Sequence, residues 1–290
     1  QANLKDYKKY DSTNKVEKSG KIKDILDKGM LLSYTSISEY YKCPFSFYLN
    51  RVLKIKKESN LDSIVLGNLF HDSLYKMLST EKKYNEDEVK ELIYQYYREN
   101  NITSNPSLNV FLDIYCYYLY NVYLFILKIT KRTIFKIKGL EKEYKIPLSV
   151  NGYVLNGKID KVSTCIIKGK EYAVVLDYKT GTSNIDLNKI IHGHDMQLLF
   201  YFYFLSQEQE VSFAGGYLQH ILPNNVLQKD KNKNYNELLN DFYKYTGYSN
   251  SDLTVLSSID REFDNESYLK GIAVTKKNIE LTSNARKRVI

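Results

Sequence analysis

The 290-residue chain has no tryptophan, only four prolines, thirteen glycines and three cysteines. So little Pro and Gly excludes a low-complexity or collagen-like chain. The cysteines, at 43, 116 and 165, are widely spaced and contain no CxxC pair. They make no disulfide framework and suit a reduced, cytoplasmic setting. The opening residues QANLKDYKKYDSTNK are polar and charged and lack the apolar stretch of a signal peptide. The most apolar run, 110–130, contains Asp113, Asn121, Lys128 and five tyrosines. A buried helix of a soluble protein is therefore expected there, and no membrane span.

Hydrophobic residues make up 43% and charged residues 26%, ordinary usage for a globular protein able to bury a substantial core. Tyrosine is abundant, with 28 copies, but so are Lys, Asn and Ile, a bias that codon usage can produce. The net charge of +8 fits a polyanionic partner such as nucleic acid. A Lys-rich solvated surface would give the same excess.

Residues 1–30 read as a polar linker arriving from something upstream, which suggests a piece of a longer protein. Residues 31–290 read as one domain, with a helical part over 31–135 and a sheet core over 136–290. Ser36 and Glu39 have capping-box spacing, and Pro44 is expected to interrupt the helix that follows. Helical patterns cover 61–78, 86–99 and 107–133. Strand patterns then run over 139–150, 153–167 and 171–179, joined by turns at Asn151-Gly152 and Lys168-Gly169-Lys170. The unbroken apolar run Ala173-Val174-Val175-Leu176 predicts a central strand buried on both faces. A helix over 188–206 and a strand over 211–222 complete a β-β-β-α-β order behind the helices.

Two carboxylates stand out. Asp160 follows Gly157-Lys158-Ile159, and Asp177 opens Asp177-Tyr178-Lys179 directly after the apolar run. Seventeen residues apart around the Gly169 turn, they can face each other across a hairpin. Buried carboxylates in that position repel, and a hard cation such as Mg2+ or Mn2+ between them is the natural relief. Lys179 lies two residues past Asp177, so strand alternation puts it on the same face, where its ammonium can stabilise charge building on a phosphate. A D-x-K triplet alone is more often a surface pair. The preceding apolar run, the second Asp and the Gly181 turn reverse that preference. Gln197 and Tyr201 share one helix face; they are either polar residues at the rim of the core or residues that border the site and contact a DNA backbone. A lone His71 on an apolar helix is ordinarily a packed core residue. His192, His194 and Asp195 form a weaker transition-metal alternative.

The ordered set Gly67-Asn68-Leu69-Phe70-His71, Gly157-Lys158-Ile159-Asp160, Asp177-Tyr178-Lys179-Thr180-Gly181 and Gln197-x-x-x-Tyr201 resembles the RecB-type branch of the PD-(D/E)XK nucleases. With the stretch from Ser36 to Phe45, the likeness covers roughly 32–275 and is strongest to nuclease domains of the AddB type. The resemblance implies a restriction-endonuclease-like α/β core, a central mixed sheet flanked by helices. It implies metal ligation by His71, Asp160, Asp177 and the backbone carbonyl of Tyr178, with Lys179 as the catalytic lysine. An acidic residue on the first strand belongs to the pattern, and Glu141 and Glu143 both qualify. It further implies a Mg2+ (or Mn2+) dependent exonuclease acting on DNA, single-stranded in this reading, beside an AddA-like helicase in break repair and recombination. A stand-alone nuclease of phage or CRISPR-adaptation type, or an idle DNA-binding scaffold, are the alternatives. Relatives of this type hold a 4Fe–4S cluster through one early and three late cysteines. Cys43 matches the early ligand and no cysteine follows 165, so either this sequence stops short of the cluster segment or this member lacks a cluster; with one matching ligand no cluster is expected in this chain, and Cys43 is expected to be a buried apolar thiol.

Overall fold

The computed structural model describes residues 20–55, 61–100, 102, 106–150, 152–181, 183–190, 192–208, 210–223, 233–275 and 280–290. Most of the leader, residues 1–19, lies outside this set, and Gly20–Asp27 form a helix, α1.

After the short strand β1 (Leu31–Leu32), helix α2 (Tyr34–Lys42) begins one turn earlier than the sequence pattern suggests. Its cap is Ser33, whose side chain accepts from the Ser36 N–H while the Ser36 hydroxyl accepts from Ser33 N–H. Serine thus fills the position that the Ser36–Glu39 spacing assigns to a carboxylate, and Glu39 binds Arg51 and Asn50 instead. The helix stops at Cys43, and α3 (Pro44–Phe47) restarts with Pro44 in its first turn, where a missing N–H costs nothing. A π-helical turn (Tyr48–Val52) follows.

Three amphipathic helices come next: α4 (Leu61–Leu78), α5 (Glu86–Glu99) and α6 (Pro106–Thr130). The meander is β2 (Lys136–Pro147), β3 (Val154–Ile167) and β4 (Lys170–Lys179), all antiparallel. Lys168 (φ 50°) and Gly169 (φ 79°) make the two-residue turn between β3 and β4, the positive-φ pair that a twisted hairpin favours. The helical pattern over 188–206 is in fact split into α7 (Leu187–Ile190) and α8 (Gln197–Glu208). Gly193 (φ 78°) and Asp195 (φ 53°) turn the chain between them, and the Tyr41 ring lies so close to Gly193 that a Cβ there would collide with it. Strand β5 (Ser212–His220) returns parallel to β4. Beyond it come α9 (Tyr235–Tyr243), β6 (Thr246–Ser249), α10 (Leu253–Ile259) and a closing 3-10 turn (Ala285–Arg288).

The six strands form one mixed sheet in the order β1-β3-β4-β5-β6, with β2 along the other edge of β3. Strand β4 shows why the sheet is central. Val174, Leu176 and Tyr178 pack with α4, α5, α6, α9 and α10, while Ala173 and Val175 pack with α8. The fold is thus the mixed sheet flanked by helices that the sequence predicts, with both faces buried at β4. Among the described residues no helix is long and apolar enough to cross a membrane.

Candidate metal centre and active site

The β3–β4 register ends at the pair Lys161 and Leu176, so the next step sets Asp177 beside Asp160. On the other edge of β3, the pairs Leu140–Lys161 and Lys142–Ile159 set Glu141 opposite Asp160. Three carboxylates therefore occupy one row across three strands. Glu141 has a φ of 50°, a left-handed backbone that costs a non-glycine residue about 1–3 kcal/mol. Strain at a residue in the centre of a site is what a functional constraint on its carboxylate would produce.

Helix α4 is anchored by Leu69 and Phe70, which are essentially inaccessible, and it brings the adjoining His71 over the row. His71 Nδ1 lies 3.2 Å from Glu141 Oε1 and 3.4 Å from Asp160 Oδ1. One ligand atom from each of the three lies within 4.8 Å of the others. Lys158 pairs with Glu141 Oε2 at 2.5 Å, and Asp160 Oδ2 accepts the Tyr178 backbone N–H at 2.7 Å.

Asp177, 2% exposed, belongs to a second, adjoining group. Its Oδ1 accepts from Gln197 Nε2 at 2.5 Å and from the Tyr201 hydroxyl at 2.6 Å. Its Oδ2 pairs with Lys179 Nζ at 2.5 Å, and Lys179 also donates to Gln197 Oε1 at 2.9 Å. Lys179 is therefore on the same face as Asp177, as strand alternation requires. The four expected ligands are divided: His71 and Asp160 stand together with Glu141, Asp177 is held by Lys179, Gln197 and Tyr201, and Tyr178 joins the groups through its N–H.

Burial, and then the charge of Asp177, push the Asp160 carboxyl above the usual carboxylate range, with His71 opposing them. Burial disfavours a charged His71, but its bonds to Asp160 and Glu141 and their negative charges outweigh that and raise it to about 10. The imidazole is then a cation at neutral pH, a positive charge already sitting among the carboxylates. Burial and the charge of Asp177 raise the Tyr201 hydroxyl, so it remains a proton donor to that carboxylate.

One imidazole nitrogen and two carboxylate oxygens gathered in an acidic, part-buried row fit a divalent cation that takes mixed nitrogen and oxygen ligands. Glu141 is the residue that sequence reasoning left open. Glu141 and Glu143 have the same parity on β2, so periodicity cannot separate them. Register separates them, because Glu143 pairs opposite Lys158. His192 and His194 lie in the α7–α8 connection and join no metal-spaced group among the described residues. The cysteines do not fit a 4Fe–4S cluster, which needs four ligands, since the chain has three and all are free. Cys43 is exposed, not buried as expected, because it caps α3, where its Sγ accepts the Ser46 N–H at 3.5 Å.

Residues 31–261 match the model of the PD-(D/E)XK nuclease superfamily. The chain is 27% identical to an ATP-dependent helicase/deoxyribonuclease subunit of Carboxydothermus hydrogenoformans, over 79% of this chain and 24% of that protein. The proteins of the same name from Clostridium novyi and Clostridium botulinum are 24% and 29% identical, over 88% and 66% of this chain and 26% and 19% of theirs. The chain thus spans about a quarter of the length of the curated relatives it matches.

Proposed function

Because the chain belongs to the PD-(D/E)XK nuclease superfamily, we propose that it is the nuclease part of a helicase–nuclease subunit, hydrolysing DNA phosphodiester bonds with a divalent cation. The observation that carries this reading is the row Glu141–Asp160–Asp177 with His71 on one side and Lys179 on the other. His71, Glu141 and Asp160 would hold the cation, with Asp177 adjoining. When bound, the cation supplies Lewis-acid polarisation of the scissile phosphate.

The protein groups have separate tasks. Gln197 and Tyr201 fix one oxygen of Asp177, which leaves the other facing Lys179. Lys179, held between Asp177 and Gln197, keeps its ammonium beside the acidic row, where it can meet charge developing on a phosphate oxygen. Lys158 neutralises the far oxygen of Glu141 and turns the near one toward His71. In this reading Gln197 and Tyr201 position Asp177, and any contact they make with DNA is additional.

The substrate is DNA, delivered as a single strand by an AddA-like helicase partner. The activity is exonucleolytic and serves break repair and recombination. Support comes from the relatives' shared name and from the net charge of +8. The test is degradation of labelled DNA with Mg2+ or Mn2+, comparing the unchanged protein with Asp177→Ala and Lys179→Ala. Both variants are expected to lose at least about two orders of magnitude, as for loss of a transition-state charge stabiliser. Equal degradation by all three proteins would sink the assignment.

A further inference from the structure

Beside the acidic row, at the carboxyl ends of the parallel strands β4 and β5, lies an open cavity of about 420 Å3 that the catalytic reading does not use. Ligands of open α/β sheets bind preferentially at such strand ends. Lys179 and His220 are register partners on β4 and β5, so the cavity begins one strand away from the catalytic lysine. Its walls carry His220, Lys270 and Arg288, together with Gly181, Ser183 and Thr246, and no acidic residue lines it.

Two of its cations have no carboxylate paired with them among the described residues. Lys270 donates to the Phe242 carbonyl at 3.4 Å and, among the described residues, pairs with no carboxylate. Arg288 lies over the Tyr248 ring and likewise has no carboxylate partner among them. Asp241, whose negative charge acts on Lys270 from a distance, is already bound by Lys233 and Lys244. His220 Nε2 donates to the Ser183 carbonyl at 2.7 Å, which fixes its orientation at the rim. Burial, with the positive charges of Lys270 and Lys179, keeps His220 below its ordinary value despite that bond. Burial also depresses Lys270. His220, Lys270 and Arg288 thus line a single concavity without an acidic wall, a setting that suits an anion.

We propose that this cavity is a phosphate subsite, which takes a backbone phosphate of the DNA strand next to the one being cleaved. The inference rests on the nuclease reading for its ligand and deepens it by naming where the strand is gripped. Lys270 and Arg288 hold the phosphate as point charge and planar donor, and they set the position of the scissile bond relative to Lys179. Phosphate contacts of this kind fix register without reading sequence.

The test is binding of fluorescent single-stranded oligonucleotides to the unchanged chain in EDTA, where no cleavage occurs and a failed catalytic assignment leaves the readout intact. Lys270→Gln and Arg288→Gln come from different elements, and each is checked by its melting curve. Each is expected to weaken binding about tenfold and to lower the salt slope by about one. Lys138→Ala removes an equal charge from the opposite end of the sheet, where Lys138 pairs with Glu171, and is expected to leave binding unchanged. Oligonucleotides with 5′-hydroxyl and 5′-phosphate ends separate a backbone phosphate from a terminal one, and inorganic phosphate is the free competitor. Equal weakening on both ends supports the subsite. The proposal is overturned if both folded variants bind like Lys138→Ala, or if the loss appears only with 5′-phosphate.

Discussion

A metal ion that takes His71 as a ligand has to displace a proton from it. Among Glu141 and Asp160 its imidazole is raised to about 10, so it is protonated throughout the neutral range. Only the neutral imidazole offers a lone pair to a cation. Binding of Mn2+ should therefore release about one proton per ion above neutrality, and apparent affinity should rise about tenfold per pH unit until His71 titrates in the free protein. At the acid side Asp160, held high by burial and by Asp177, adds to the release. The sign follows from the direction of each shift, since both groups hold protons more tightly than usual and both must yield them. Calorimetric titration in two buffers of different ionisation enthalpy counts the protons directly. In His71→Gln the site keeps its carboxylates but loses the titrating ring, so release above neutrality should vanish and the affinity–pH line should flatten. The same proton count in the variant and the unchanged protein, or no release in either, would refute the reasoning. In the metal-free protein the raised His71 contributes stability that is present below its unfolded value near 6.5 and is lost as pH rises through about 10.

Three further outcomes follow from single contacts in the buried parts of the fold. Tyr201→Phe removes one of two hydrogen bonds to a buried Asp177 oxygen and should cost about 1.5–3 kcal/mol in denaturant unfolding, with reduced nuclease activity because Gln197 alone then holds that oxygen. Gly157→Ala pushes a methyl group into the Phe204 ring, since a Cβ there would come within 2.4 Å, and should cost about 1–3 kcal/mol in the same assay. Arg132→Met leaves the fully buried Asp260 without its cation, and a loss of about 3–5 kcal/mol is expected, moderated by the three other donors to Asp260.

The sheet core was legible because its signals are local. Alternation and the turn pairs located β2, β3 and β4 to within a few residues, and the solid run at 173–176 identified the strand buried on both faces. Asp160, Asp177 and Lys179 came from the same reasoning, because a tight hairpin turns sequence spacing into opposition. Glu141 was not legible, because choosing it over Glu143 needs the β2–β3 register and a left-handed residue, and neither leaves a trace in residue type. The helix expected over 188–206 is broken where Gly193 and Asp195 redirect the chain, and Gln197 becomes the first residue of α8. Beyond Leu222 the elements are short, and long-range packing fixes them, as with Tyr243 and Val255 in the larger core.

The Tyr178 N–H bonded to Asp160 has a bearing on how this centre should be dissected. That carboxylate also acts as an acceptor for the backbone of the neighbouring strand, at the point where β3 and β4 cease to pair. Truncating it to alanine would strand a buried amide as well as delete the ligand proposed for the cation, so a dead Asp160→Ala protein would confound two injuries. Asparagine keeps an oxygen for the amide while removing the charge. A contrast between those two variants would therefore report how far the architecture of the strand junction and the chemistry of the ion have been entrusted to a single side chain.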